Sequence, residues 1–361
     1  MDTPSIIFND NLVSANFRGM RRYFSELAQG AAARFGRELL VFGPAGADLS
    51  TSYSFPALQM RGQQPLRLNQ AIISILAAIL RPKVLFNAYY TNAYTPGHEV
   101  FTVYDMIPEL MPQYFPTEHP GNRKFIAQKR RSLERASLIF AISASTAHDM
   151  LAYYPRLDAN RVKITPLGVD DAFFTAPPLL PEGNHQPYFL YVGHRGRHKN
   201  FARLLEAFAQ SGLSKQYDLV VLSPGEFQPE ELAAIQALHL TAHVRIASSV
   251  SDITLRSYYR HSVALVYPSE YEGFGLPILE AMACGTLVAT SNTSSMPEVG
   301  GDVALYFDPL AVDSIAGVLT DIVNLESNAR QQRISSGITH ARAFTWERCA
   351  QQTIDGILRL L

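Results

Sequence analysis

Two cysteines in 361 residues, Cys284 and Cys349, cannot build a disulfide framework, and this scarcity suits a reducing cytoplasm. Long hydrophobic runs are missing as well. The most apolar stretch, Ala71 to Leu80, stops at Arg81-Pro82 and falls short of the roughly 20 apolar residues that a bilayer crossing needs. The opening MDTPSIIFND lacks the basic start and extended apolar segment of a secretory leader and reads as a first strand. Neither charge sign dominates: 31 basic against 32 acidic residues leave a formal net charge of -1, which argues against a nucleic-acid binder working by bulk electrostatics. G-x-G-x-x-G and G-x-x-x-x-G-K-[S/T] are both absent, which disfavours dehydrogenases and P-loop NTPases. The ten histidines form no H-E-x-x-H and there is no C-x-x-C, so no metal and no other cofactor is expected.

What is present is enough chain for two cores of about 150 to 180 residues each. Short β-branched or aromatic runs alternate with amphipathic stretches, the order that yields parallel sheets covered on both faces by helices. In the first half strands are predicted near Ser5–Phe8, Glu38–Phe42, Lys83–Phe86, Val100–Tyr104, Ser137–Ile142 and Val162–Thr165, with helices opening near Gly19, Leu66, Thr117 and Ser143. A second series follows, near Tyr188–Val192, Leu219–Leu222, His243–Ile246, Val263–Tyr267, Leu287–Thr290 and Val303–Phe307. The proline-rich FTAPPLLPEGNHQP between the halves forbids a regular element and marks a linker. The expected domains are therefore 1–173 and 187–343, joined by 174–186. The terminal FTWERCAQQTIDGILRLL carries apolar residues at helical spacing and needs a surface to dock on.

The segment YPSEYEGFGLPILEAMACG, from Tyr267 to Gly285, is the richest in chemistry. It follows a buried strand and opens a helix at about Leu276. Gly273 and Gly275 allow close approach of backbone to a ligand, Pro277 suits a first helical turn, and the helix start offers N–H groups to an anion. Glu272 in the loop and Glu280 one turn into the helix could each accept hydroxyl protons, as sugar and ribose recognition requires. A surface glutamate and a helix-dipole glutamate would give the same letters.

This stretch resembles the Glu-x7-Glu signature of the retaining glycosyltransferases of family 4. YVGHRGRHKNFARLLEAFA (191–209), TSNTSSMPEVGGDVALYFDP (290–309), NFRGMRRYFSEL (16–27) and the terminal FTWERCA helix resemble further segments of that family, in the family's order. The resemblance implies an α/β GT-B fold: two Rossmann-like, doubly wound parallel-sheet domains facing each other across a cleft, with helix 345–361 returning to the first. It also assigns roles. Arg195 and Lys199 would face the diphosphate, where negative charge grows as the leaving group departs. Glu272 would hold the sugar hydroxyls with the loop Gly273, Phe274, Gly275 and Leu276. Glu280 would hold the ribose. Gly193 and Gly19 would line the donor site from the first turn of each domain. His194 and His198 replace commoner residues and Arg197 is a third nearby cation, so the contacting arginine stays open.

Where the family often reads His-Asp at a strand end, this chain has Tyr104-Asp105. A histidine proton shuttle therefore cannot be carried over. Asp105 would either meet the acceptor hydroxyl or cap a turn. The basic run 123–137 would either meet anionic phospholipid at the cytoplasmic membrane face or form a solvated helix surface.

The expected partners are thus a nucleotide-sugar donor, first of all GDP-mannose or a related GDP sugar, and a glycan or lipid-linked acceptor of bacterial polysaccharide synthesis. Two other readings stand beside this one: another GT-B activity such as a nucleotide-sugar epimerase, and a nucleotide-sugar-binding module without turnover.

Overall fold

The computed structural model describes residues 4–9, 18–43, 53–56, 65–91, 93–175, 186–248 and 250–361. Asn16 and Phe17 of the first loop, and 176–185 of the linker, lie outside the described residues. The chain divides into two compact units, Met1–Gly168 with Thr345–Leu361, and Val169–Phe344.

The first unit holds β1 (Ile6–Asn9), β2 (Leu39–Gly43), β3 (Tyr53–Pro56), β4 (Val84–Asn87), β5 (His98–Val103), β6 (Leu138–Ala141) and β7 (Val162–Ile164). They form one parallel sheet in the order β3-β2-β1-β4-β5-β6-β7. Runs such as IIFN, VLFN and LIFA are buried at every position. A sheet covered on both faces selects continuous hydrophobic strands rather than alternating ones. Phe8, Phe86 and Phe140 pack in sequence across the sheet, with ring centroids 4.6 and 6.4 Å apart. β3 was not expected from the sequence, and β5 begins at His98, before the predicted Val100.

The second unit holds β8 (Tyr188–Val192), β9 (Asp218–Leu222), β10 (Val244–Ala247), β11 (Ala264–Tyr267), β12 (Leu287–Ser291) and β13 (Leu305–Phe307), in the order β10-β9-β8-β11-β12-β13. All of its pairings are parallel. Helix Phe201–Gln210 buries Phe201, Leu204, Leu205 and Phe208, at helical spacing, against Phe189, Val221 and Leu319. Each such side chain contributes about 1.5–3 kcal/mol on burial.

In each sheet the strand order reverses once, between β1 and β4 and between β8 and β11. Loops leaving the C-terminal ends of strands on either side of such a point diverge and leave a crevice, where open α/β sheets bind ligands.

Helix Trp346–Leu358 packs on helix Arg18–Phe35 with Trp346, Cys349, Ala350, Thr353, Ile354 and Ile357 turned inward. The chain passes between units at Gly168–Val169, earlier than the boundary read from the prolines. Residues 169–175 precede those prolines but already belong to the second unit. The Phe173 ring lies 6.2 Å from Tyr259, Arg256 Nη1 donates to Ala172 O at 2.8 Å, and the Arg342 guanidinium lies 4.6 Å from the Phe174 ring.

Candidate active site

The crevice between β8 and β11 gathers most of the residues expected to carry chemistry. Past β8 the chain turns at Gly193, whose φ of 135° is open to glycine and strained for other residues. A short 3-10 turn, Arg197–Lys199, follows, and Asn200 in the left-handed region opens helix Phe201–Gln210. Past β11 the loop 268–275 ends at Gly275, φ 116°, the N-cap of helix Leu276–Ala283. The two loops are stitched together: Asn200 Nδ2 donates to Pro268 O at 3.0 Å and Glu270 N to His198 O at 2.7 Å.

Lys199 Nζ lies 2.5 Å from Glu272 Oε1. Glu272 is 8% exposed. Burial pushes its pKa up, but the charges of Lys199 and His198 and hydrogen bonds from Lys199 and Ser269 outweigh burial and hold it below the ordinary carboxylate value. Lys199 also lies 5.9 Å from the Tyr267 ring.

The main chain around Glu272 is clamped by two hydroxyls that the sequence reading did not single out. Ser294 Oγ accepts from Glu272 N at 2.9 Å and lies 2.8 Å from Glu272 O. Ser295 Oγ lies 2.9 Å from Glu272 O and 2.7 Å from Phe274 O. Both serines belong to the quoted SNTSSMPEV stretch, so the signal was there, but a serine pair in a loop says nothing of what it holds. Gly273 is buried, Leu276 opens the helix, and the Phe274 ring packs 6.1 Å from Phe344.

Glu280 projects one turn further along, where the Tyr259 hydroxyl donates to Oε2 at 2.8 Å. Burial, reinforced by Glu280, raises the Tyr259 pKa well above the usual phenol value and keeps the donor protonated. Cys284, at the end of the same helix, has its thiol pushed up to about 12, chiefly by burial, and its Sγ lies 3.5 Å from Phe173 O. It is packing, as the sequence suggested.

Arg195 departs from the expectation that placed it on the diphosphate. Its Nε lies 2.9 and 3.0 Å from the two Glu231 oxygens, and Nη2 donates to Glu226 O at 2.6 Å. The guanidinium is turned towards the loop after β9. Arg197, with φ 58°, is exposed on the 3-10 turn.

In the first unit Gly19 is exposed in the first turn of helix Arg18–Phe35. Asp105 caps a turn: Oδ1 accepts from Ile107 N at 3.0 Å, which is the structural one of its two readings. The Tyr104 hydroxyl donates to Ala88 O at 2.8 Å and its ring meets Tyr23 edge-on, so this phenol is spent on packing the strand ends. In the basic helix Pro120–Arg135, Lys129 is buried against Glu109 at 3.0 Å, and Arg130 and Arg135 pair with Glu134 and Glu99. Among the described residues no group of three or more His, Cys, Asp or Glu is placed to hold a metal, and no helix is long and apolar enough to cross a membrane.

Two doubly wound parallel-sheet units make up the GT-B architecture. The chain belongs to the glycosyl transferases group 1 family, whose model matches residues 177–339. It is 31% identical over 279 residues to O-antigen chain mannosyltransferase B of Escherichia coli, covering 73% of this chain and 72% of that one. It is 29% identical over 321 residues to the serotype-specific mannosyltransferase WbdA of Escherichia coli; the match takes 81% of this chain but only 38% of that longer protein. Among solved structures, WaaG, a glycosyltransferase involved in lipopolysaccharide biosynthesis, superposes with a TM-score of 0.75 at 17% identity, over 97% of this chain and 98% of the other. Anabaena HepE in complex with UDP and glucose gives 0.74 at 17% identity, over 99% and 100% of the two chains. Identities that low speak for the shared GT-B fold alone.

Proposed function

We propose that this chain is a retaining, family 4 hexosyltransferase that moves mannose from GDP-mannose, or a related GDP sugar, to a hydroxyl of a glycan or lipid-linked acceptor in bacterial cell-surface polysaccharide synthesis. The observation that carries this reading is the Lys199–Glu272 pair at the β8/β11 crevice. Without donor, each of the two charges satisfies the other. A bound donor separates their tasks: the ammonium turns to the β-phosphate and the carboxylate accepts sugar hydroxyls, so the anomeric carbon lies between them. As the bond from that carbon to the phosphate oxygen breaks, negative charge grows on the diphosphate beside Lys199. The acceptor oxygen attacks from the same face, its proton passes to the departing phosphate oxygen, and a nucleoside diphosphate leaves. No protein nucleophile and no metal is needed, and Glu272 remains a carboxylate throughout. Glu280, fixed by Tyr259, holds the ribose. The named activities of the Escherichia coli relatives support mannose as the sugar.

Acceptor recognition falls to the first unit. Arg123, Lys124 and Arg131, exposed on helix Pro120–Arg135, give it a cationic surface suited to a peripheral contact with anionic phospholipid at the cytoplasmic membrane face.

A thermal-shift titration with GDP, UDP, ADP, dTDP and CMP tests the donor. Ligand at about 100 times its dissociation constant adds about 2.7 kcal/mol of stability. Selective stabilisation by GDP, followed by transfer from GDP-mannose with the anomeric configuration read by NMR, is the expected result. Stabilisation by UDP alone, or an inverted product, would overturn the corresponding part of the proposal.

A further inference from the structure

Arg195 has a site of its own. Its side chain is only 6% exposed. Besides the two-oxygen contact with Glu231 and the bond to Glu226 O, Nη1 lies 3.4 Å from Pro224 O, and the guanidinium carbon lies 5.3 Å from the Phe227 ring. Glu231 is anchored in turn. It is the third residue of helix Pro229–Ala237, and its Oε2 accepts from Gln228 N at 2.7 Å in a capping box. Phe227 stacks on Phe201 at 6.2 Å, with only 11° between the rings. Together these contacts tie the loop after β8 and the start of helix Phe201–Gln210 to loop 223–228 after β9 and the first turn of helix Pro229–Ala237, beside the strand end where Lys199 emerges. Gly193 N, donating to Leu222 O at 3.0 Å, joins the same two strand ends.

To reach a diphosphate, Arg195 would have to withdraw Nε from both oxygens of a carboxylate, give up two carbonyls and a ring face, and strand a part-buried Glu231. We infer that Arg195 is a positioning residue with Glu231 as its partner: the pair braces loop 223–228 as a wall of the donor site, and Lys199 is left to meet the developing phosphate charge. This inference rests on the reading under Proposed function and sharpens it.

The test is a double-mutant cycle of Arg195→Gln and Glu231→Gln, with GDP-mannose as donor. Glutamine at 231 keeps the length and the oxygen that cap the helix, and removes only the charge. A brace acts on ground and transition states alike. Each single variant should therefore raise the donor KM about three- to tenfold with kcat within twofold, and the double variant should be no worse than the poorer single. If Arg195 instead touches the diphosphate, Arg195→Gln lowers kcat about 100-fold or more while Glu231→Gln leaves it unchanged or tightens GDP binding, and the brace is refuted. Should Arg195→Gln fail to fold, Glu231→Gln decides alone: an unchanged donor KM overturns the inference. Wild-type protein that binds no nucleoside diphosphate would bring down the functional reading, and the wall with it. Additive effects in a protein that binds GDP normally would remove the brace only.

Discussion

Lys199 and Glu272 are 73 positions apart in the chain, yet Nζ and Oε1 meet at 2.5 Å because their strands, β8 and β11, are neighbours at the point where the sheet order reverses. The pair joins a general property of doubly wound sheets to one reaction. The crevice comes from the topology, and the charges in it decide what can react there.

Lys199→Met should therefore separate binding from chemistry. Turnover at saturating donor is expected to fall about 100- to 1,000-fold, the usual cost of removing one fixed group aimed at growing charge. Donor affinity should fall much less. Unchanged turnover would exclude Lys199 from the leaving-group site.

The same variant has a signature in pH. In the wild type the Glu272 pKa is held below its ordinary value, so its contribution to stability is present above the unfolded carboxylate pKa and is lost as pH falls through the lower folded value. Between pH 5 and 8, a range above that pKa, Glu272 should contribute no slope. Without Lys199 the main charge that opposes burial is gone, and burial should lift the folded pKa above the ordinary carboxylate value. The sign then reverses: the variant is relatively most stable in acid and loses stability as pH rises through the new value. Denaturation midpoints of the two proteins should converge from pH 7 towards pH 4. A gap independent of pH would show that Lys199 does not set the charge of Glu272.

Glu280→Ala should weaken GDP binding about 10- to 100-fold, the loss expected for a hydrogen bond to a charged group, with little change in kcat at saturation because a ribose contact is the same before and during transfer. Tyr259→Phe removes only the hydroxyl that orients Glu280, and about a fivefold loss is expected. Isothermal titration with GDP measures both. Equal losses would mean that the tyrosine supports the fold around the helix rather than the carboxylate.

The central strands were legible because their residues are buried on both faces, so local hydrophobicity and final environment agree. β3 escaped because YSFP holds no β-branched residue and ends in proline, a poor strand signal set against an edge position that tolerates it. Lys199, Glu272 and Glu280 stood out because their segments resemble those of a known family, and the glycines and following helices beside them agree with that resemblance. Arg195 could not be placed, since its direction is set by Glu231, 36 positions away on another element. Asp105 was ambiguous for a related reason: a turn cap and a substrate ligand look the same in one dimension.

In the first unit, Lys129 and Glu109 form a buried pair at 3.0 Å. Lys129 Nζ also donates to Asp105 O at 2.6 Å, and the Tyr154 hydroxyl to Glu109 Oε1 at 2.9 Å. Lys129→Met leaves a carboxylate without its cation and should cost about 3–5 kcal/mol. Adding Glu109→Gln should recover much of that loss, because it removes the stranded charge and keeps an oxygen for Tyr154. Trp346, the single tryptophan, is buried in this unit and reports urea unfolding by its fluorescence. A double variant as unstable as Lys129→Met would mean that the loss comes from packing and not from charge.

Gly168 is the last residue of the first unit before the chain crosses. A Cβ there would fall 2.1 Å from Trp346 N and 2.4 Å from Thr345 C, both backbone atoms that no rotamer change can move aside. Gly30 is a milder neighbour: its Cβ would lie 3.0 Å from Ala350 Cβ, a contact that a small shift of helix Trp346–Leu358 relieves. Gly168→Ala should therefore cost more than the 1–3 kcal/mol typical of overpacking, and Gly30→Ala less than Gly168→Ala. Because the strain falls on the start of the docked helix, it should appear as a red-shifted Trp346 emission and as new proteolytic cleavage within 345–361. Nucleotide binding should survive, since helix Leu276–Ala283 and the β8/β11 crevice belong to the other unit. Loss of GDP binding together with helix release would instead show that the two units fold as one cooperative block.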